Sequence, residues 1–279
     1  MNLQTPPGTD NLLREALAED IGMGDVTTLS TVPEDAISSG RFIAKESCIV
    51  CGLAILTRVF ELIDSRIVIK AHVGEGALVQ KGDIIATISG PARGILTGER
   101  TALNLLQRLS GIATKTHDAV AQVEGTGAHI VDTRKTTPGM RGLEKYAVRT
   151  GGGLNHRIGL FDGVLIKDNH IRAAGSITAA VGQARANVHH LLKIEVEVED
   201  FTQLQEALAC GADVIMLDNM SLSDMKEAVR IINGRALTEA SGNMGERDLR
   251  QVAETGVNFI SIGALTHSAR AMDISLRLA

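Results

Sequence analysis

The stretch "DTRKTTPGMRGLEKYAV", Asp132 to Val148, follows directly on the short apolar run "AHIV". It sets Arg134 beside Lys135, then adds two threonines, a Pro-Gly turn and a further arginine. Cations and hydroxyls gathered at the end of a strand are the chemistry of a polyanion site, because hydrogen bonds assisted by charge are the strong ones. Lys167, in "GVLIKDNH", follows a second apolar run in the same way. Either lysine suits a phosphate or, if desolvated, a Schiff base with a carbonyl substrate, although most lysines are simply solvated. "TGGGLNHR", Thr150 to Arg157, brings His156 and Arg157 behind three glycines. Arg157 and Arg134 together supply two guanidiniums, each able to grip a carboxylate through two parallel bonds. His170, in "KDNH", reads equally as a site residue or a strand-end cap.

The acidic candidates follow. "KIEVEVED" alternates strictly, with Ile194, Val196 and Val198 on one face and Glu195, Glu197 and Glu199 on the other. On an open sheet this is an ordinary amphipathic strand. Inside a barrel the glutamates point at the lumen, and buried carboxylates there need a cation, a hydrogen-bond network or a metal. Glu197 stands nearer the C-terminal end than Glu195, and so nearer the expected ligand. Asp218, in "IMLDN", ends the next strand. Carboxylates on neighbouring strands suit Mg²⁺, which takes few protein oxygens and keeps waters for substrate phosphates. Glu197 and Asp218 are therefore the expected metal ligands. "EASGN" (Ser241, Gly242 and Asn243 at its end) and "SIGAL" (Gly263 at its centre) put small residues at the last two strand ends, where backbone N–H groups can reach phosphate oxygens.

These residues need elements to hold them. The chain has 279 residues and 44% hydrophobic residues, enough for one large or two modest domains. With 2% aromatics and no Trp the core is aliphatic, and stacking platforms for single-stranded nucleic acid are not expected. The net charge is −5, yet residues Arg100 to Arg172 carry a balance of +5, which suits a small anionic ligand and not general nucleic-acid binding. No run of about 18 apolar residues points to a membrane span, and "MNLQTPPGTD" lacks a leader pattern. Three cysteines fit a reducing cytoplasm. "CIVC" reads as packing, since it lies in an apolar run with no second pair to complete a zinc site.

Leu12 to Glu19 has helical spacing, and "DIGMGDVTT" follows as a Gly-rich turn. Alternating runs joined by "GEG" and "KGD" then read as strands. Arg100 to Val123 reads as helix, with Gly111 as an interruption. After about residue 125, six strand-like runs alternate with helical stretches, their polar ends near residues 135, 167, 197, 218, 241 and 263. The last gaps, 21, 23 and 22 residues, each fit one strand, one helix and two loops. Ser176 and Ser221 or Ser223 mark helix starts. No G-x-G-x-x-G follows a strand. Six polar strand ends converge in a closed barrel but not in an open sheet, so an incomplete parallel α/β barrel is expected.

The blocks "LLREALAEDIGMGDVTT", "GERTALNLLQRLSGIAT", "DTRKTTPGMRGLEKYAVRTGGGLNHRIGLFDGVLIKDNH", "IEVEVE", "VIMLDN", "EASGN" and "ISIGALTHS" closely resemble the quinolinate phosphoribosyltransferases, over nearly the whole chain. One departure is Thr150, where many members carry cysteine. The resemblance implies an N-terminal α/β sandwich, residues 1–112 with 267–279, joined to an incomplete barrel of six to seven strands, residues 113–266. It implies a transfer from phosphoribosyl pyrophosphate to quinolinate with loss of CO₂, using Mg²⁺, in a homodimer with shared sites. It assigns quinolinate binding to Arg134, Lys135, His156, Arg157 and Lys167, with Arg100 from the partner subunit. It assigns the phosphoribosyl and metal side to Glu197, Asp218, Ser241, Gly242, Asn243 and Gly263. Three other readings remain: a lysine Schiff-base aldolase, a molybdenum-transport-linked relative without quinolinate activity, and a non-catalytic phosphate sensor.

Overall fold

The computed structural model of the chain describes residues 6–279; the first five residues of the "MNLQTPPGTD" stretch lie outside the described residues. The strands, in chain order, are β1 (Ile37–Ala44), β2 (Cys48–Ile49), β3 (Val68–Ala71), β4 (Leu78–Val79), β5 (Ile84–Pro91), β6 (His129–Val131), β7 (Val164–Ile166), β8 (Ile194–Val198), β9 (Val214–Asp218), β10 (Leu237–Ser241), β11 (Phe259–Ser261) and β12 (Ile274–Leu278). Contacts divide the chain into two compact units. One takes the residues up to His117, Thr136–Gly152 and Thr266–Ala279; the other takes Asp118–Lys135 and Gly153–Leu265.

The first unit is built on an antiparallel sheet ordered β12-β1-β5-β3. Its core is aliphatic, as the composition requires, with one aromatic pair, Phe42 and Phe60, at 6.2 Å between ring centroids. The "DIGMGDVTT" segment is a turn followed by a short helix, Val26–Thr31, because Asp25 accepts a hydrogen bond from the Thr28 N–H. Cys48 and Cys51 are buried and unpaired. Burial pushes the Cys48 thiol up to about 11 and raises Cys51 as well, so "CIVC" is packing.

The expected interruption at Gly111 does not occur: one helix runs unbroken from Ala92 to Gln122. Gly111 provides space instead. A Cβ there would stand 1.8 Å from the carbonyl oxygen of Arg270, so this backbone approach requires the missing side chain. Arg108 on the same helix donates to the carbonyls of Thr266 and Ala269 and to Glu144 at 2.8 Å. Glu144 is fully buried and also accepts from the N–H and hydroxyl of Thr137. These bonds count the helix Arg141–Thr150 with the first unit although it lies in the chain between β6 and β7.

The second unit holds the six strands expected from their polar ends. They form one parallel sheet ordered β6-β11-β10-β9-β8-β7. Between its two end strands the barrel is incomplete. Leu154 alone pairs with Val131 in parallel sense, its N–H donating to the Ile130 carbonyl and its carbonyl accepting from Asp132. A seventh strand is thereby reduced to one residue. Helix starts are capped where the sequence places them: Ser176 accepts from the Ala179 N–H, and Ser221, not Ser223, accepts from Asp224. His170 proves to be a cap, its Nδ1 accepting from the Lys167 N–H at 2.9 Å.

Candidate active site

Register decides which side chains share the lumen. Neighbours paired across a parallel sheet point to the same face, as do residues two apart on a strand. Glu197 pairs with Met216, Met216 with Glu239, and Asp218 with Ser241. Glu195, Glu197, Asp218, Glu239 and Ser241 therefore share one face, opposite Ile194, Val196 and Val198, which are fully buried.

At the upper rim lie the cations. Arg134 and Lys135 follow β6 and are exposed, with the Lys135 N–H turned back onto the Thr133 hydroxyl at 3.0 Å. Arg157 is half-buried and its guanidinium donates to the Gly163 carbonyl at 3.0 Å. Its ionisation is shifted down, first by burial and then by the nearby charge of Arg134. Two guanidiniums that feel each other are what a substrate with two adjacent carboxylates demands. Lys167 directly follows β7, and its Nζ lies 2.6 Å from Glu197 on β8. Asp218, on the next strand, accepts from the Asn219 side chain at 2.7 Å. Asn219 and Asn243 both adopt positive φ, and Gly242 (φ +96°) packs so closely that a Cβ would stand 2.2 Å from the Asn219 side-chain oxygen. The "DN" and "SGN" turns thus interlock at the ends of β9 and β10. Gly263 follows β11 next to them in chain order of strands.

Arg134, Arg157, Lys167, Glu197, Asp218 and the small residues of β10 therefore belong to one strand-end rim. Arg100 is exposed on the helix Ala92–Gln122, in the first unit.

Beneath the rim is a group that the strand pattern alone did not single out. Glu195 and Glu239 are buried to 7% and 3% exposure, and both lie beside His156. His156 Nε2 is 3.0 Å from Glu195 Oε2 and 3.6 Å from Glu239 Oε2. The other ring nitrogen, Nδ1, accepts from the Arg157 N–H at 2.8 Å. Asp132, fully buried at the head of the basic stretch, accepts from the Asn155 amide at 2.6 Å and the His156 N–H at 2.9 Å. His156 thus presents both ring nitrogens to the protein. The clue to Glu239 was a glutamate in mid-strand, spaced by two from Ser241. Its partner could not be read, because the contact crosses from β10 to β8.

Glu197 and Asp218 offer hard oxygens on one face of adjacent strands, neither fully buried, a donor set that fits Mg²⁺ with retained waters. Glu197 also carries Lys167, so one ligand position is shared with an ammonium.

Cations and carboxylates arrayed at the C-terminal rim of a parallel α/β barrel, with small residues on the last strands, define an enzyme for anionic substrates, one of them phosphorylated. The chain belongs to the quinolinate phosphoribosyltransferase family. The family's N-terminal domain matches residues 25–110 and its C-terminal domain residues 112–277. The chain is 48% identical to the probable nicotinate-nucleotide pyrophosphorylase (carboxylating) of Bacillus subtilis, covering 95% of this chain and 91% of that one. The crystal structure of NadC from Streptococcus pyogenes superposes with a TM-score of 0.94 at 40% identity, covering 100% of this chain and 99% of that one. The nicotinate-nucleotide pyrophosphorylase of Francisella tularensis gives 0.93 at 43% identity, covering 97% and 96%.

Proposed function

We propose that this chain transfers ribose 5-phosphate from phosphoribosyl pyrophosphate to the ring nitrogen of quinolinate, and that the 2-carboxylate then leaves as CO₂. The products are nicotinate mononucleotide and pyrophosphate. The observation that carries this reading is the pair of guanidiniums, Arg134 and Arg157, held within each other's field on one rim. A dicarboxylate satisfies both; a single phosphate does not require both.

The chemistry follows from charge. Quinolinate and the sugar donor are both polyanions and repel without cations between them. Arg134, Arg157, Lys135 and Lys167 supply those cations, each charge-assisted bond being worth roughly 1.5–3 kcal/mol. The ring nitrogen attacks the sugar C1 as the bond to pyrophosphate breaks and its electron pair departs with the leaving group. The ring is then a pyridinium. When the C2–carboxylate bond breaks, its electron pair stays on C2, stabilised by the adjacent cation, and a proton completes the product. The ring is its own electron sink, so the chain's task is to orient the carboxylates and exclude water. Ser241, Gly242, Asn243 and Gly263 offer the phosphate side small residues and backbone N–H groups. Glu197 and Asp218 would hold Mg²⁺, which when bound neutralises charge on the departing pyrophosphate.

Lys167 is ion-paired and its side chain is 45% exposed. A Schiff-base amine needs desolvation, so this geometry counts against the aldolase reading. His156 lies among protein groups, with Glu195, Glu239 and the Arg157 N–H about its ring. Arg100 is assigned to the partner's site in a homodimer, and the unpaired cysteines suit a cytoplasmic location.

Replacing Arg157 by Ala is expected to raise the quinolinate KM far more than the sugar-donor KM, measured by CO₂ release from carboxyl-labelled quinolinate. Equal losses would contradict the role given to Arg157. An Arg100→Ala variant mixed with a Lys135→Ala variant is expected to regain activity through hybrid dimers; no recovery on subunit exchange would argue against a shared site.

A further inference from the structure

The group beneath the rim has the outward form of a metal centre. His156, Glu195 and Glu239 offer donor atoms all within 4.8 Å of one another. The histidine tautomer decides otherwise. A backbone N–H always carries its hydrogen, so His156 Nδ1, which accepts from Arg157, is the bare nitrogen. The neutral ring then carries its hydrogen on Nε2, aimed at Glu195 Oε2. A nitrogen that bears hydrogen cannot ligate a metal.

What remains is a charge problem. Glu195 and Glu239 are both more than nine-tenths buried, and each has one carboxylate oxygen, Oε1, buried without a hydrogen-bond partner. Two anions side by side next to a neutral ring would be strongly unfavourable, and a single proton removes one of them. The groups facing Glu239 are Glu195 from β8, His156 from the loop after Leu154, and Ser261 from β11. Burial first, and then the charge of Glu195, push its carboxyl up, against a smaller lowering by Ser261; only a charged His156 would add to that lowering, and the ring is neutral.

We propose that Glu239, as a neutral carboxyl, is a positioning residue for quinolinate: it supports Glu195, Glu195 fixes the Nε2–H of His156, and His156 Nδ1 anchors the backbone of Arg157. This rests on the reading of Arg157 as a quinolinate ligand. The order of parts is base to rim. Glu239 and Glu195 are both buried, with Met216, the register partner of Glu239, buried beside them, whereas Arg157 is half-buried. Asp132 holds the other side of the same hinge through the N–H of His156. The histidine acts as a spacer with a defined hydrogen pattern, and no part of the relay needs to touch the reacting atoms.

The test compares Glu239→Gln, a neutral residue of the same size with donors for Glu195, with Glu239→Ala and Glu239→Asp. Glu239→Gln is expected to keep both KM values and kcat within about threefold, whereas Glu239→Ala raises the quinolinate KM by about tenfold or more with a much smaller change for the sugar donor. Glu239→Asp, one methylene short of Glu195, falls between them. Nitrogen NMR of the His156 ring at neutral pH is expected to show the Nε2–H tautomer in the wild type and in Glu239→Gln. If Glu239→Gln loses quinolinate binding as badly as Glu239→Ala, the proposal fails; an imidazolium or an Nδ1–H ring at His156 also overturns it. Should Glu239→Ala not fold, Glu239→Gln and the ring spectrum still decide. A wild-type enzyme that does not consume quinolinate sinks the functional reading, while the tautomer remains open to measurement on its own.

Discussion

Asp132 opens the basic stretch, yet it is fully buried, while Arg134 and Lys135 just after it are exposed. Its Oδ2 accepts from the Asn155 amide and its Oδ1 from the His156 N–H. Asp132→Asn keeps the shape and removes the charge. Whichever way the new amide is turned, one of the two donors faces an NH₂ group. Two charge-assisted bonds, about 1.5–3 kcal/mol each, become one neutral bond of about 0.5–1.5 kcal/mol and one donor left facing an NH₂ group. Relief from burying a carboxylate offsets part of this, leaving a net loss of about 2–4 kcal/mol. The strain falls on residues 155–157, the segment that sets Arg157. At 1.4 kcal/mol per tenfold, full expression in binding is a factor of roughly 30 to 700. We expect at least a tenfold rise in quinolinate KM, with the sugar-donor KM within about threefold, because Ser241, Gly242 and Asn243 lie on another strand. Steady-state kinetics with each substrate varied in turn, alongside a melting curve, gives the answer. A variant with unchanged quinolinate KM and unchanged melting midpoint would refute the reasoning, since it would mean that this buried carboxylate holds nothing.

The same substitution is expected to have opposite signs in two helices. Gly111→Ala forces a Cβ against the Arg270 carbonyl and should cost about 2 kcal/mol despite the better helix propensity of alanine, while Gly182→Ala, in the helix Ile177–Asn187 with open space around it, should gain about 0.5–1 kcal/mol; denaturant midpoints for the pair check this. Burial holds the thiols of Cys48 and Cys51 in the protonated form, so neither should react with a maleimide until denaturant is added, as mass spectrometry of the labelled chain would show. Glu46 accepts from Arg270 at 2.7 and 2.5 Å and from the Asp273 N–H, which lowers its carboxyl from 4.5 to about 2. A lowered folded value contributes stability that is present above pH 4.5 and lost as the pH falls towards 2, so Glu46→Gln should flatten that part of the acid-unfolding profile, by a modest amount since the pair is partly exposed.

Much of the barrel was legible because each strand announces itself twice, by an apolar run and by the polar cluster that ends it. "IEVEVE" and "VIMLDN" even give the face, since alternation fixes which side chains turn inward. Part of the rim was legible for a related reason: Arg134 and Lys167 are polar residues just beyond apolar strands and Asp218 ends one, while Arg157, half-buried beyond the single paired residue Leu154, has no strand to mark it. Three features were not. Gly111 resembles a helix breaker because a gap made for a distant carbonyl has no local signature. Glu195 and Glu239 resemble two separate strand glutamates, because their meeting with His156 depends on sheet closure across a sequence separation of 39 or more. Asp132 resembles one more charge in a charged stretch, and only its burial separates it from the cations that follow.

The strand order also has a consequence for how the chain assembles. From β8 to β11 every strand lies against the one made just before it, so that series can zip up as it emerges. β6 is different: its ladder partner is β11, which leaves the ribosome some 130 residues later. Until then the sequence that ends in Asp132, Arg134 and Lys135 has only Leu154 to pair with, and the sheet edge that will receive it stays bare. The last step of barrel formation therefore also sets in place the residues proposed to grip the substrate. A partly made chain can be compact and largely sheet-paired while the strand that leads into Arg134 and Lys135 still lacks its ladder partner, and a single closing event supplies it.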